Sequence, residues 1–290
     1  MRKVSVIIPA FNHQEFIGEA IASVLNSEHK NLEVIVVDDG STDRTGEIVS
    51  KYEQVLYIRQ ENKGAHSAIN HGLSLASGEF FAILNDDDTY SPQHLSIALN
   101  NMSTYGNDFF IGKPKIVGSG AKFDVLKSHA EESDRLIKEM GLGRSLLEIN
   151  WSTSTSAFVF HKLLFEKMGG FHGFSMCHDL DFLIRGLFEQ NINVGVSEEP
   201  TWYYRCHETN SGSSISAKKQ QAEIVYSLGR ALDPVIHEEL NMEIARIIGY
   251  GINLRIKLLA LHERPWRHEP RIGVDQSIRD WIEYCLNNSG

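Results

Sequence analysis

The chain has 290 residues, a formal net charge of −10, 42% apolar residues and 23% charged residues. This length suits one large domain or two small ones, and the composition is that of a globular protein. The negative net charge argues against nonspecific binding of nucleic acid. Three cysteines without close pairing, and no stretch that suits a signal peptide or a membrane span, predict a cytoplasmic protein. Any membrane contact is expected to be peripheral, at the inner face.

The first hundred residues alternate strand patterns with helix patterns. Apolar, β-branched runs predict strands at 4–9, 32–37, 55–59 and 80–84. Apolar residues at helical spacing predict helices at Gln14–Leu25, Asp43–Tyr52 and Ser67–Ala76. A further helix is predicted after Ser91-Pro92, an N-cap residue followed by proline. Because this alternation is typical of parallel strands joined by helices, it predicts a doubly wound α/β domain.

The pattern weakens after residue 100. It predicts a charged helix at 128–141, a strand at 156–162, a helix at Leu180–Gln190 and a mostly helical tail from Ala217. The apolar stretch Ile244–Leu261 contains charged residues, which would be costly at a bilayer centre. We therefore expect this stretch to pack on the rest of the chain, or on a second subunit in a homo-oligomer.

Polar clusters follow the predicted strands, at residues 9–12, 38–43, 61–70 and 85–88. In an open parallel sheet, ligands bind beyond the carboxyl ends of the strands. No G-x-G-x-x-G follows the first strand, no G-x-x-x-x-G-K-[ST] occurs, and a loop opening at Asp86 lacks the glycine of an EF-hand. A phosphate ligand would therefore need a metal bridge, and Mg²⁺ or Mn²⁺ binds through carboxylates and phosphates. The alternative is that the acidic run is an ordinary exposed turn.

In their order along the chain, these motifs resemble those of the family 2 inverting nucleotide-sugar glycosyltransferases. The matching segments are SVIIPAFN, VVDDGSTD, ENKGAHSAINHG, LNDDDTYSP, GGFHGFSMCHDLDFLIR and YYRCHETNSGSS. The resemblance covers roughly residues 3–215. It implies the GT-A fold, with a doubly wound, mostly parallel sheet and a C-terminal helical extension. The implied divisions are a nucleotide-sugar-binding half at 1–100, an acceptor-binding and catalytic half at 101–215, and the extension at 216–290.

The resemblance also implies a donor pocket and a metal site. The implied nucleotide-binding residues are Pro9, Phe11, Asn12, Asp39, Lys63, Gly64, Asn85, Asp86 and Asp87. The first three would flank a pyrimidine ring, which favours a UDP- or dTDP-sugar. Asp87, Asp88 and His207 would hold the Mn²⁺ or Mg²⁺ and reach the diphosphate. Asn85 stands where the family usually has an aspartate, and a structural role for His207 stays open.

The catalytic base is the next implied residue. Inverting transfer requires one base that takes the proton of the acceptor hydroxyl, and the resemblance assigns that role to Asp179, with His178 at the position of the family's glutamate. From the residues alone, Asp179 also suits the N-cap of the predicted helix Leu180–Gln190.

Three other residues are expected to contact or support the acceptor together with His178. Asp181 and Arg185 have the spacing of an i,i+4 ion pair on the helix. Trp151 would either stack on a sugar face or pack in the core.

The sequence therefore predicts a metal-dependent inverting glycosyltransferase of polysaccharide or glycoconjugate synthesis, acting on a saccharide or lipid-linked saccharide. Two alternatives stay open. A sugar-phosphate nucleotidyltransferase would carry a glycine- and arginine-rich loop after the first strand, where this chain has PAFNHQEF. A non-catalytic nucleotide-sugar-binding homologue would tolerate the departures at Asn85 and His178.

Overall fold

The computed structural model describes residues 2–190 and 192–207, together with residues 210, 223, 224 and 227. The stretch Ile244–Leu261 and most of the expected C-terminal extension lie outside the described residues. In the described part of the chain, no helix combines the length and the apolar character needed to cross a membrane.

The chain divides into two compact units. The first comprises Met1–Glu131, Ser152–Gly170 and Ile192–His207. The second comprises Glu132–Trp151, Phe171–Asn191 and the described residues beyond 207.

The first unit contains a mixed sheet, in which the described residues form eight strands. The strands are β1 (Val4–Ala10), β2 (Leu32–Asp38), β3 (Val55–Arg59), β4 (Phe80–Ile83), β5 (Thr89–Tyr90), β6 (Phe109–Val117), β7 (Phe158–His161) and β8 (Val194–Arg205). Their order across the sheet is β3-β2-β1-β4-β7-β6-β8-β5. The first four in this order are parallel, as is the pair β6 and β8. β7 is antiparallel to both β4 and β6, and β5 is antiparallel to β8.

The helices follow the strands in alternation through the first half of the chain. They are α1 (Ile17–Leu25), α2 (Thr45–Val49), α3 (Ala65–Leu75), α4 (His94–Tyr105), α5 (Ala121–Met140), α6 (Leu142–Glu148), α7 (Lys162–Met168) and α8 (His178–Ile184). A single 3₁₀ turn, Thr155–Ala157, precedes β7, and a π turn, Arg185–Glu189, continues α8.

The core is centred on β1, whose residues are all buried. Complete burial is typical of a parallel strand covered on both faces. Helix α3 contacts β1 and β2, and glycine allows the close approach. A Cβ at Gly72 would lie 2.5 Å from Ile7 Cγ2 and 3.2 Å from Val37 Cγ2.

The four predicted N-terminal strands are confirmed, and the boundaries of several later elements differ. The helix predicted from Ser91-Pro92 begins at His94, with Gln93 rather than Ser91 as its N-cap residue, and the Ser91 N–H donates to the Thr201 carbonyl at 3.0 Å. The predicted helix at 128–141 begins earlier, at Ala121. The strand predicted at 156–162 is shorter, because its first residues form the 3₁₀ turn.

Candidate active site

The site of the first unit lies where β1, β2 and β4 end at one edge of the sheet. Since these strands are parallel, the segments that follow them meet there. β7 runs antiparallel to β4, so the residues before β7 arrive at the same edge. The polar segment Ser154–Ser156 therefore forms hydrogen bonds with the acidic run that follows β4, residues 85–88. The sequence did not predict this contact.

Asp86 links the acidic run to the segment after β1. Its carboxylate accepts the backbone N–H of Phe11 at 2.9 Å and contacts His13 Nδ1 at 2.7 Å. Burial raises the pKa of Asp86, opposed by the hydrogen bond to His13. Burial alone would lower the pKa of His13, but the hydrogen bond and the charges of Asp86 and Asp87 raise it above its ordinary value. The two side chains therefore form a hydrogen-bonded pair in which Asp86 is buried and His13 is half-buried.

Asp87 links the run to the segment after β8. Its Oδ2 lies 3.0 Å from His207 Nε2, and its carbonyl accepts Arg205 Nε at 3.0 Å. The rings of His207 and His13 stand edge to face, with centroids 5.5 Å apart. One ligand atom from each of His13, Asp87 and His207 lies within 4.8 Å of the other two.

The carboxylate of Asp88 is buried and hydrogen-bonded within the protein. Ser156 Oγ donates to one of its oxygens at 2.6 Å, and the Arg205 backbone N–H donates to the other at 3.0 Å. Burial, with the charge of Asp87, raises the pKa of Asp88 well above its ordinary value. Both oxygens of this predicted metal ligand therefore accept a hydrogen bond. The cluster of possible donors contains His13 beside Asp87 and His207.

Asn85 uses its amide to hold the segment before β7. Its Nδ2 donates to Ser154 Oγ at 3.0 Å, and its Oδ1 accepts Thr155 Oγ1 at 2.9 Å. The Asn85 backbone N–H donates to Ser156 Oγ at 3.0 Å. An aspartate would lack the donor that the first of these bonds requires, so the amide suits this environment.

The remaining predicted nucleotide-binding residues lie along the same edge. Asp39 Oδ1 accepts the Lys63 backbone N–H at 2.9 Å, and its Oδ2 accepts the Gly64 N–H at 2.8 Å. Asn12, with φ of 55°, accepts the Thr42 N–H at 2.7 Å. Pro9 and Phe11 complete this group. Pro9 is buried in β1, whereas the side chain of Phe11 is 43% exposed.

Asp179 belongs to the second unit and lies in the first turn of α8. The N-cap is Cys177, so the N-cap interpretation of Asp179 is wrong. Asp179 Oδ1 accepts the Leu180 N–H at 2.7 Å, and its Oδ2 accepts Asn150 Nδ2 at 3.3 Å. Asn150 was not singled out from the sequence. It precedes Trp151, and its contact with Asp179 spans 29 positions.

The residues expected to support the acceptor also lie in the second unit. Asp181 and Arg185 form the predicted i,i+4 pair at 2.8 Å, and both side chains are buried. His172 Nδ1 lies 2.9 Å from the same Asp181 oxygen. Trp151 is packed, with its indole N–H donating to the Leu142 carbonyl at 3.1 Å. It is therefore not available to stack on a sugar in this conformation.

His178 has a buried Nδ1 without a hydrogen-bond partner among the described residues. Burial lowers the pKa of His178, although the charges of Asp179 and Glu223 oppose this effect. The ring is therefore neutral at pH 7. A neutral imidazole can donate or accept a hydrogen bond, but it does not supply the charge of the glutamate that the resemblance places there.

Comparison with known proteins identifies the family. A model of "Glycosyl transferase family 2" matches residues 5–169. An uncharacterized glycosyltransferase of Rickettsia typhi is 30% identical over 230 residues, which make up 77% of this chain and 70% of that protein. The chain belongs to glycosyltransferase family 2.

Solved structures show that this family 2 member has the GT-A fold. TarS of S. aureus in complex with UDP-GlcNAc matches with a TM-score of 0.64 and 22% identity. That match covers 79% of this chain and 66% of the matched TarS chain, which comprises its residues 1–349. The mannosyltransferase PcManGT of Pyrobaculum calidifontis in complex with GDP-Man and Mn²⁺ matches with a TM-score of 0.63 and 14% identity, over 99% of this chain and 85% of its own. The predicted GT-A fold is thereby confirmed.

The His13, Asp87 and His207 cluster fits a divalent cation by the chemistry of its donors. Two imidazole nitrogens and one carboxylate oxygen lie close enough together to share one ion. Imidazole suits transition-metal ions, and carboxylate suits Mg²⁺ and Mn²⁺. In this family 2 glycosyltransferase, the sequence reasoning missed His13. Its position directly after PAFN, at the end of β1, was the available signal.

Proposed function

We propose that this family 2 glycosyltransferase moves a sugar from a UDP- or dTDP-sugar to an acceptor hydroxyl with inversion at the anomeric carbon. The proposed acceptor is a saccharide or lipid-linked saccharide, in polysaccharide or glycoconjugate synthesis in the cytoplasm. The observation that carries the proposal is the cluster of His13, Asp87 and His207 beside two further buried aspartates, at the carboxyl edge of the sheet.

The donor nucleoside would bind along the edge formed by the ends of β1 and β2. The exposed ring of Phe11 offers a face for stacking on a pyrimidine. Asp39 holds the backbone at Lys63 and Gly64, and its remaining lone pairs can accept a ribose or base hydrogen bond. The structural neighbours carry UDP-GlcNAc in one case and GDP-Man in the other, so the choice of a pyrimidine is a specific proposal.

His13, Asp87 and His207 would hold the divalent cation. When bound, the cation would offset the negative charge of the departing diphosphate. Asp88 would support the cation site without binding the ion, because its hydrogen bonds to Ser156 and Arg205 fix the backbone beside Asp87. In this proposal the half at 1–100 supplies most of the donor site, and the half at 101–215 supplies the base.

Asp179 would act as the general base. Its carboxylate takes the proton of the acceptor hydroxyl while the hydroxyl oxygen forms a bond to the anomeric carbon. The bond from that carbon to the diphosphate oxygen breaks, and its electron pair leaves with the nucleoside diphosphate. Asn150 and the Leu180 N–H each hydrogen-bond one carboxylate oxygen, which orients the group.

Replacing Asp179 by Asn tests the base. Asparagine keeps the shape of the side chain but cannot take up the proton, and loss of a positioned base typically lowers turnover by about 10² to 10⁴. We expect Asp179→Asn to show this loss with unchanged nucleotide affinity, and the exposed Asp124→Asn to behave as wild type. Turnover above about a tenth of wild type in Asp179→Asn would remove Asp179 from the role.

A product assay separates the proposed activity from its alternatives. A transferase releases nucleoside diphosphate from the sugar nucleotide when an acceptor is added. A nucleotidyltransferase releases pyrophosphate from a nucleoside triphosphate, and a non-catalytic homologue binds without releasing either. Donors based on UDP, dTDP and GDP should be compared with and without chelator, and equal use of the GDP-sugar would contradict the pyrimidine assignment.

A further inference from the structure

A buried glutamate from late in the chain holds the loop that leads to Asp179. Glu223 has no exposed surface. One of its oxygens accepts the Ser175 N–H at 2.9 Å, and the other accepts the N–H groups of Met176 at 2.8 Å and Cys177 at 3.2 Å. Three successive backbone donors therefore point at one carboxylate.

Glu223 holds the three residues immediately before α8, a helix without a side-chain N-cap of its own. The N-cap residue of α8 is Cys177, and its side chain makes no capping hydrogen bond. A thiol is a weak acceptor, unlike the oxygen of Ser, Thr, Asn or Asp. Buried N–H groups without partners are costly, and Glu223, 46 residues further along, satisfies those that precede the helix.

The burial of Glu223 also indicates a specific role. A buried carboxylate is costly unless hydrogen bonds compensate for its lost hydration. A neutral side chain would avoid that cost, but an ordinary apolar one would leave the three donors unsatisfied. The carboxylate fixes the backbone at 175–177, which ends two residues before Asp179, and thus the direction in which α8 begins.

We propose that Glu223 is a positioning residue for the catalytic aspartate, so that residues far along the chain set the geometry of proton transfer. This inference rests on the proposed role of Asp179 as the base. Glu223 itself touches neither sugar nor nucleotide in this proposal. It acts through the backbone of Ser175–Cys177 and the first turn of α8.

The variant Glu223→Gln keeps the length of the side chain but places an NH₂ group where an oxygen accepted an N–H. A misplacement of about 1 Å can lower turnover by about a hundredfold, so we expect kcat to fall by about 10- to 100-fold. The KM for the donor and the Kd for the nucleoside diphosphate should stay unchanged, because the proposed donor-site residues belong to the first unit. Glu139→Gln, on the exposed side of α5, is the matched control.

A double-mutant cycle decides between positioning and general support. If Glu223 acts through Asp179, then Glu223→Gln should have almost no further effect on kcat in the Asp179→Asn background. Turnover is expressed per nucleotide-binding site, so that unfolded protein is left out of the comparison. If the Gln variant does not fold, Glu223→Asp provides a second measurement, because aspartate keeps the charge but has a shorter side chain.

Each outcome has a defined meaning. A kcat of Glu223→Gln within about twofold of wild type, or an equal loss in both backgrounds, would overturn the positioning role, since coupled residues are expected to be non-additive. Turnover of Asp179→Asn alone above about a tenth of wild type would overturn the base assignment instead. The two failures are therefore distinguishable.

Discussion

His13 and His207 approach Asp87 from segments that follow β1 and β8, the first and last described strands of the chain. Each imidazole also contacts a carboxylate, His13 with Asp86 and His207 with Asp87. A carboxylate partner orients an imidazole ring for metal binding, and for His13 that partner, Asp86, lies outside the cluster. Two such rings and one carboxylate form a donor set richer in nitrogen than the predicted set of Asp87, Asp88 and His207.

We therefore predict that nucleotide binding depends more strongly on Mn²⁺ than on Mg²⁺, because imidazole is a poor ligand for Mg²⁺. His13→Ala should weaken Mn²⁺ binding by at least about tenfold, because mutation of even an outer-shell partner of a metal ligand causes a loss of that size. The variant should also show a smaller preference for Mn²⁺ over Mg²⁺. Titration of bound Mn²⁺ by electron paramagnetic resonance, with UDP present, measures both effects.

The control for this experiment is His161→Asn, because His161 caps α7 and asparagine can do the same. Its Mn²⁺ affinity should equal that of wild type. Unchanged Mn²⁺ affinity in His13→Ala would return the third ligand to Asp88, as the sequence predicted.

At the scale of elements, the contact of α3 with β1 depends on Gly72. Alanine at this position would gain about 0.5 to 1 kcal/mol of helix stability. Its Cβ would lie only 2.5 Å from Ile7 Cγ2, a buried side chain of the fully buried strand. Overpacking of this kind typically costs about 1 to 3 kcal/mol, which exceeds the gain.

Gly72→Ala is therefore expected to lower the free energy of unfolding by up to about 2.5 kcal/mol, the difference of the two effects. Urea denaturation measures the change as a lower midpoint at constant slope. Ser74→Ala, at an exposed position of the same helix, should not destabilise the protein. A stabilised Gly72→Ala variant would show that Ile7 moves aside at little cost.

For the whole molecule, the pH dependence of stability reports on His94. Its ring is fully buried, stacks on Tyr90 at 3.9 Å and pairs with Thr201 Oγ1 at 2.9 Å. Burial lowers the pKa of His94 from 6.5 to about 3. Between these values the unfolded chain binds a proton that the folded chain does not, so stability is full above pH 6.5 and falls as the pH drops below it.

From pH 7 to pH 5 this effect amounts to about 2 kcal/mol. His94→Gln can still pair with Thr201 but does not titrate, so its stability should fall less over that interval, by about this amount. Chemical denaturation at several pH values measures the difference. Parallel curves for the variant and wild type would mean that His94 becomes protonated within the folded protein.

The first half of the fold was predictable because its strands are short, apolar and separated by clear helix patterns. β8 escaped prediction because charged residues and Pro200 interrupt its pattern, and β5 has only the residues Thr89 and Tyr90. The reversal of direction at β7 has no local signal, since a short apolar run such as FVFH suits a parallel or an antiparallel strand equally well. Order along the chain is visible in a sequence, but pairing direction is not.

The site was predictable where a motif marks it and unpredictable where distant segments meet. Asp39 and the acidic run were found from their positions after strands. The partners of the run were not, because His13 lies 73 residues from Asp86 and Ser156 lies 68 residues from Asp88. Likewise, nothing near Glu223 in the sequence indicates that its carboxylate accepts backbone hydrogen bonds from a loop 46 to 48 residues earlier.

The two most distant partners of the acidic run, Arg205 and His207, also determine when the site can assemble during synthesis. Asp87 meets His207 across 120 residues, and Asp88 meets the Arg205 backbone across 117. Contacts of such high sequence separation form late in folding, because the long loops must close first. A chain still growing on the ribosome can pair its N-terminal parallel strands early, but it lacks the complete donor set proposed for the cation until residue 207 has emerged. In the proposed mechanism, the nascent enzyme therefore stays inactive until that point of synthesis.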